Sequence, residues 1–429
     1  MSVDVVIGLQ RGDEGKGKTV DLLGDYDVVA RFNGGPNAGH TLVIDGAPLV
    51  LHQVPSGVAH PDTLNVIGNG VLLDPVRLVA EMADIRKAGL VVDVGNLAVS
   101  SAVHLILPHH RALDVLREAG DHAQGSTLRG IAFAAGEKYI RNGIRANALH
   151  TLGALAQHAT TELYAANQQL QTVGLAEFDV ETEISALLIA ARAISPYLTN
   201  TSALMNSKLH AGSRILAEGA QAADLDIDHG DYPYVTSSST GVGGVLSGLG
   251  VGPQHIDRII GVAKATQSHV GGGPFPTEIT DSTIASRLRG ERDEVDGEYG
   301  KSTGRARRVG RLDLVRMRRA VTVNGVNEIA LNKLDCVSRF GSTIQVATAY
   351  ILDGQQLDWP PDSADELARC EPVYTELPGW EGDIRNVRLF EDLPVEAQNY
   401  VAFLEEQLGT KVSIIGVGPG PDQVIRRDI

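Results

Sequence analysis

Apolar residues recur along this chain in short runs separated by glycine-rich turns and by stretches of helical spacing. Val3-Asp4-Val5-Val6-Ile7 reads as a buried strand, and Thr19-Val20-Asp21-Leu22-Leu23 as the start of a helix. Val28-Val29-Ala30-Arg31 and Asn65-Val66-Ile67 are further strand-type runs, each leading into a glycine turn, and Pro75 to Lys87 has helical periodicity. Strands alternating with helices predict an α/β fold: a largely parallel central sheet with flanking helices. Asp45-Gly46, between Leu42-Val43-Ile44 and Pro48-Leu49-Val50-Leu51, predicts a hairpin. From about 146 to 213 the pattern turns helical and reads as a helical insertion. From about 350 to 429, Asp-Gly, Trp-Pro-Pro and Pro-Gly-Trp segments predict a loop-rich accessory region. With no repeat, low-complexity tract or clear linker, residues 1–429 are expected to form a single domain.

Composition narrows the class. A chain of 429 residues with 43% hydrophobic content can bury a large core, and 48 glycines with few aromatics suit an α/β enzyme. No apolar run reaches the roughly 18 residues that span a bilayer, and no basic-then-apolar leader opens the chain, so a cytoplasmic protein is expected. Cys336 and Cys370 are too few for a disulfide framework or a C-x-x-C metal site. The net charge of −16 argues against nucleic-acid and membrane partners, so basic clusters must be local sites.

Three stretches point to chemistry. Gly12-Asp13-Glu14-Gly15-Lys16-Gly17-Lys18-Thr19 fits G-x-x-x-x-G-K-[ST] between a predicted strand and helix. There glycines let the backbone approach phosphate oxygens, while the helix N-terminus, Lys16 and Lys18 supply positive charge. Asp13 and Glu14 are unusual inside such a P-loop-like site, since carboxylates add nothing to phosphate binding. Asn332-Lys333-Leu334-Asp335 follows the apolar run Ile329-Ala330-Leu331. A carboxylate there accepts both N1–H and N2–H₂ of guanine, which favours GTP over ATP. Glu298-Tyr299-Gly300-Lys301-Ser302-Thr303-Gly304-Arg305-Ala306-Arg307-Arg308 is a dense basic loop in an acidic chain, suited to clamping a dicarboxylate or phosphate. His40, in Gly34-Gly35-Pro36-Asn37-Ala38-Gly39-His40-Thr41, is a candidate general acid. The Asp/His cluster Asp226-Ile227-Asp228-His229 lacks a recognised metal-ligand spacing.

Together with Ile67-Gly-Asn-Gly70, Glu218-Gly-Ala-Gln221, Tyr232-Pro-Tyr-Val-Thr-Ser-Ser238 and Gly273-Pro-Phe-Pro-Thr-Glu278, these motifs resemble adenylosuccinate synthetase, in the family's order and over nearly the whole chain. The resemblance implies a GTP- and Mg²⁺-dependent C–N ligase of purine biosynthesis. It would join L-aspartate to IMP through a 6-phosphoryl intermediate, giving adenylosuccinate, GDP and phosphate. It also implies site residues by position. Asp13, His40 and Gln221 would be catalytic. Gly12, Gly15, Lys16, Gly17, Lys18, Gly39, His40, Thr41, Arg307, Lys333, Asp335, Gly416 and Gly418 would bind GTP. Asp13, Asn37, Thr127, Arg141, Gln221, Thr236, Val270, Ser302, Thr303 and Arg305 would bind the purine nucleotide and aspartate, with Asp13 and Gly39 holding Mg²⁺. Arg141 matches an arginine that the family inserts from a neighbouring subunit, which implies a homodimer. Glu14 gains no role.

The departures from the family are expected to mark a divergent branch. Arg11 stands where Trp is usual, Ala222 where Gly is usual and Arg311 where Trp is usual, and all are expected near the acceptor and aspartate regions. Gly125-Ser126-Thr127-Leu128-Arg129-Gly130-Ile131-Ala132-Phe133 replaces a segment richer in glycine and threonine. One alternative is the same chemistry on another 6-oxopurine nucleotide such as dGMP, as in phage-type relatives. That branch replaces the loop aspartate, so retention of Asp13 favours IMP. Another is a GTP-binding switch protein without ligase activity, which would leave the basic loop without a purpose.

Overall fold

The computed structural model describes residues 2–428 apart from 122, 293, 295, 296, 300–303 and 305. Strand Val3–Gly8 is buried along its whole length, as a continuous apolar run in a sheet covered on both faces should be. It belongs to a ten-stranded sheet. The order is Val424–Arg426, Lys411–Gly416, Glu328–Asn332, Ile256–Lys264, Val3–Gly8, Ile215–Glu218, Val28–Arg31, Leu64–Ile67, Leu97–Ser100 and Leu198–Thr199. Neighbouring pairings on both sides of Val3–Gly8 are parallel, and the edge strand Val424–Arg426 is antiparallel. The expected α/β architecture with a largely parallel sheet is therefore the one adopted.

The chain folds as two compact units. The first comprises Met1–Val5, Leu23–Ala220 and Thr236–Asp257. Its core includes Leu51, Val54, Ile67, Leu78, Ile85, Val99, Leu155 and Leu187, so helix Pro75–Lys87 and the later helices Leu152–Thr172 and Val180–Ile194 share one apolar cluster. Asp74 caps helix Pro75–Lys87 by accepting from Arg77 N–H at 3.1 Å, with Pro75 at the first helical position. The expected hairpin joins His40–Ile44 to Ala47–Leu51, and Asp45 and Gly46 take φ of 49° and 80°, the backbone of a two-residue hairpin turn.

The second unit comprises Val6–Leu22, Gln221–Val235 and Arg258–Ile429. Its first helix is Lys16–Leu23 and begins three residues earlier than the apolar pattern indicates, so the loop's lysines lie in the first helical turn. Beyond residue 350 the turn residues mostly close strands. Asp353 (φ 50°) and Gly354 (φ 83°) join Thr343–Leu352 to Gln355–Leu357 in an antiparallel sheet completed by Glu371–Pro378. Among the described residues no helix is long and apolar enough to cross a membrane.

Candidate functional site

In the second unit the loop after Val3–Gly8 turns through Gly12 (φ 91°), Asp13 (φ 58°) and Gly15 (φ 93°). Glycine reaches this left-handed region without strain, and aspartate tolerates it. Glu14 folds back into the loop. Its carboxylate accepts from Gly12 N–H and from Lys16 Nζ, both at 2.7 Å, and its backbone carbonyl accepts from Asn332 Nδ2 at 2.7 Å. Glu14, silent in sequence, thus shapes the loop: it neutralises buried Lys16 and ties one end of Asn332-Lys333-Leu334-Asp335 to it. A Cβ on Gly15 would sit 2.8 Å from Asn332 Nδ2, and one on Gly416 2.5 Å from Asn332 Oδ1, so both glycines permit close packing on Asn332. Lys18 Nζ donates to Gly418 O at 2.8 Å. Burial lowers its pKa to about 8, against the opposing pull of Asp335 and Asp422.

Asp13 is the loop's exposed carboxylate, 39% accessible, and it pairs with Arg307 Nη2 at 2.6 Å. Arg307 Nη1 donates to Glu298 Oε2 at 2.6 Å, while Glu298 Oε1 accepts from Lys333 Nζ at 2.5 Å and faces Lys264 Nζ at 3.5 Å. Burial alone would raise the Glu298 pKa, but Lys264, Lys333 and Arg307 hold it well below the carboxylate range. Glu298 and Lys264 were missed as site residues. The signals were a charged residue ending an apolar strand and an acid heading a basic loop. Arg308 is engaged by Glu278 and by Gly273 O at 2.8 Å, so part of the basic stretch serves internal carboxylates. Ser302, Thr303 and Arg305 lie outside the described residues. Gln221 (φ 58°) and Ala222 pack against the start of the loop, since a Cβ on Gly8 would meet Ala222 Cβ at 2.7 Å and Gln221 O at 2.9 Å. Val270 is half-buried after strand Gln267–His269.

The departures expected to reshape the pocket lie elsewhere in their chemistry. Arg11 is 6% exposed and donates to Asp231 Oδ2 at 2.7 Å and to Pro274 O at 2.6 Å. It joins a buried cluster in which Arg316 Nε donates to Asp224 Oδ2 at 2.8 Å, Arg319 Nη2 donates to Asp224 Oδ1 at 2.9 Å, and Arg316 also pairs with Asp231. Arg311 lies over the Tyr374 ring at 5.2 Å. Ala222 has φ −161°, extended backbone that any residue adopts. The cations are thus consumed by neighbours within the unit.

In the first unit, Arg31 ends strand Val28–Arg31 and His40 opens strand His40–Ile44. His40 Nδ1 is hydrogen-bonded to Glu218, which also accepts from Arg31 Nη1 at 3.0 Å, Ser56 Oγ at 2.6 Å and Ser56 N–H at 2.7 Å. Burial works to raise the Glu218 pKa, yet Arg31, His40 and Ser56 bring it down to about 2. Asn33 exchanges hydrogen bonds with the Ala220 backbone at 2.8 and 3.1 Å, and with Gly70, Lys138 and Ser237 to Ser239 it lines a cleft of about 60 Å³. Lys138 is a polar lining residue absent from the sequence-based set. Asn37, Gly39, Thr41 and Thr236 are half-buried, and Thr127 is exposed in a loop that Asp114 holds through Ser126 Oγ and Gly130 N–H, both at 2.9 Å. Arg141 caps helix Ile131–Ile140 with φ 67° and is exposed beside Tyr139 and Ile140, 73% and 70% accessible.

Metal donors need separate scrutiny. Asp226 is a turn-former: its Oδ1 accepts from the backbone of Asp228 at 2.9 Å and His229 at 3.1 Å. Among the described residues His109, His110 and Glu137 bring ligand atoms within 4.8 Å of one another. Leu107 N–H donates to His110 Nδ1 at 2.9 Å, which leaves the His110 proton on Nε2, facing Glu137 at 3.0 Å. His109 Nε2 is hydrogen-bonded to the same carboxylate at 3.1 Å, so the group holds two imidazoles against one Glu137.

The family description "adenylosuccinate synthetase" matches residues 5–425. An adenylosuccinate synthetase of Chlorobium chlorochromatii (strain CaD3) is 45% identical over 427 residues, covering 99% of this chain and 97% of that protein. One from Chlorobium phaeobacteroides is 43% identical over 431 residues, 99% and 98% respectively. A fully ligated adenylosuccinate synthetase from Plasmodium falciparum superposes with TM-score 0.90 at 33% identity, covering all of both chains. A cyanophage S-2L succinoaminodeoxyadenylate synthetase bound to dGMP and dATP shares the fold at TM-score 0.59 and 20% identity, over 99% of this chain and 95% of that one. With the family matched over residues 5–425 and relatives 43% and 45% identical over 99% of its length, the chain belongs to the adenylosuccinate synthetase family of C–N ligases.

Proposed function

We propose that this ligase condenses IMP with L-aspartate, with GTP as the phosphoryl donor. The observation that supports it best is Asp13: a left-handed, 39% exposed carboxylate in a phosphate loop whose other acid, Glu14, is already committed to the loop. Asp13 takes the N1 proton of the hypoxanthine, and charge builds on O6. O6 attacks the γ-phosphorus of GTP, GDP leaves, and His40 steadies the phosphoryl oxygens. The aspartate amine then adds at C6 and expels phosphate from the 6-phosphoryl intermediate, with Gln221 set against the base edge. Lys16 and Lys18 meet the GTP phosphates, Arg307 lies on the GTP side, and Lys333, Asp335, Gly416 and Gly418 hold guanine. Asn37, Thr127 and Thr236 face the purine nucleotide's phosphate, Val270 and Ser302 bind substrate, and Thr303 and Arg305 hold the aspartate. The Asp13 carboxylate and the Gly39 carbonyl are hard oxygen donors of the kind Mg²⁺ takes, and they would hold the ion. When bound, the ion supplies positive charge to the phosphate oxygens. Exposed Tyr139 and Ile140 beside Arg141 support a homodimer with Arg141 crossing to the neighbouring site. The setting we infer is cytoplasmic.

Initial rates with aspartate and GTP against IMP, GMP and dGMP test the acceptor. Turnover is expected on IMP and to exceed that on dGMP at least tenfold. An enzyme silent on IMP and active on dGMP would move it to the 2-aminopurine reaction. Full-rate GTP hydrolysis without aspartate or nucleotide would make it a switch protein.

Lys18 adds a pH dependence. In the unliganded enzyme it is charged below about pH 8 and neutral above, because burial lowers its pKa. A neutral amine no longer pairs with phosphate, so the KM for GTP should rise several-fold between pH 7 and 9. Lys18→Arg should remove that rise. A wild-type KM that stays flat across this range would detach Lys18 from the nucleotide.

A further inference from the structure

Glu218 is fully buried, 0% exposed, at the end of strand Ile215–Glu218, and it collects contacts from three other elements. Its Oε1 accepts from Arg31 Nη1 at 3.0 Å and Ser56 Oγ at 2.6 Å, its Oε2 accepts from Ser56 N–H at 2.7 Å, and Oε1 also contacts His40 Nδ1. Arg31 Nη1 lies 2.8 Å from the same Nδ1. A guanidinium only donates and a carboxylate only accepts, so the two neighbours make opposite demands on Nδ1. The contact with the carboxylate is the closer. A bare Nδ1 there would press lone pair against lone pair, so the proton sits on Nδ1 and is donated to Glu218. Arg31 turns its donors to Glu218 and, through Nη2, to the His52 carbonyl at 2.7 Å. Arg31 already supplies the countercharge that buried Glu218 needs. The bond to His40 is surplus to charge balance, and what it adds is the orientation and tautomer of the ring.

We propose that Glu218 is the positioning residue for His40: it holds the ring in the Nδ1–H form, so that Nε2 is the nitrogen presented to the phosphoryl group. This rests on the reading that His40 serves the phosphoryl group. The carboxylate fixes which nitrogen that is and exchanges no proton itself.

Long-range ¹H–¹⁵N correlation of histidine-labelled protein reads the tautomer directly, with the His40 signal assigned from its loss in His40→Asn. Wild-type His40 should show a protonated Nδ1, and Glu218→Gln should shift the ring towards a mixture. An Nε2–H tautomer in the wild type would overturn the proposal whatever the variants do. In kinetics, Glu218→Gln should lower kcat by about 10- to 100-fold with KM for GTP and the purine nucleotide within threefold. Glu218→Asp should restore part of the rate. Equal losses in kcat and affinity, with no rescue by Glu218→Asp, would reduce Glu218 to a packing residue. A protonated Nδ1 in an enzyme inactive on IMP would instead fault the proposed reaction and leave the pairing of Glu218 with His40 intact.

Discussion

Replacing Asp13 with alanine is expected to cut kcat for aspartate- and nucleotide-dependent GTP consumption by about 10²- to 10⁴-fold, the range of a lost general base. GTP affinity should change by no more than a few-fold. The asymmetry follows from the division of labour in the loop. Loop geometry rests on Gly12, Gly15 and Glu14, and Glu14 bonds to Gly12 N–H, Lys16 and, through its carbonyl, Asn332. Asp13 makes none of those bonds. Its carboxylate reaches Arg307, which keeps its bond to Glu298 when Asp13 is removed. Stopped turnover assays beside titration with a fluorescent GTP analogue separate the two effects. Parallel loss of turnover and binding would show that Asp13 serves nucleotide binding rather than proton transfer. Asp13→Asn keeps a hydrogen-bond acceptor for Arg307 but cannot take the N1 proton, so it should resemble alanine in rate.

Asp224→Ala should be the most damaging substitution for stability, costing about 3–5 kcal/mol, as removal of one partner from a buried ion network does. Asp224 is fully buried and accepts from Arg316 Nε and Arg319 Nη2, with Arg11 Nε 3.9 Å away. Without it, Asp231 is left to pair with three guanidiniums. Arg11→Leu should cost less, because Asp224 and Asp231 then still balance Arg316 and Arg319. Chemical denaturation followed by intrinsic fluorescence gives both midpoints. An Asp224→Ala midpoint equal to wild type would show that the cluster is not what holds this part of the unit. A larger loss for Arg11→Leu than for Asp224→Ala would reverse the assigned hierarchy.

What could be read from sequence was what is local. The strand, glycine loop and helix around Gly12 to Thr19, the hairpin at Asp45-Gly46 and the helix from Pro75 depend on neighbours a few residues apart, where periodicity and turn chemistry act. His40 stood out because it sits in a glycine-rich loop. Its partner Glu218 stood in the quoted run Glu218-Gly-Ala-Gln221, but their pairing was not legible, because 178 residues separate them. Glu298 was hidden for the same reason, its cations arriving from three separate segments. The Arg11 substitution was visible, but its destination was not: an arginine replacing an aromatic can face a ligand or be absorbed by buried acids, and Asp231 lies 220 residues away. Lys16 was read as a phosphate ligand, yet its bond to Glu14 two residues back needed coordinates to be seen.

The phosphate loop also sets a timetable for synthesis. Lys18 waits for the carbonyl of Gly418, made 400 residues later, and Glu14 for Asn332, made 318 residues later. At about 5–20 residues per second, the Gly418 interval is roughly 20 to 80 s. Neither unit is a continuous stretch of chain, and the second draws on Val6–Leu22 as well as on Arg258–Ile429. A nascent chain halted before residue 330 would therefore hold the nucleotide loop without the residues that brace it.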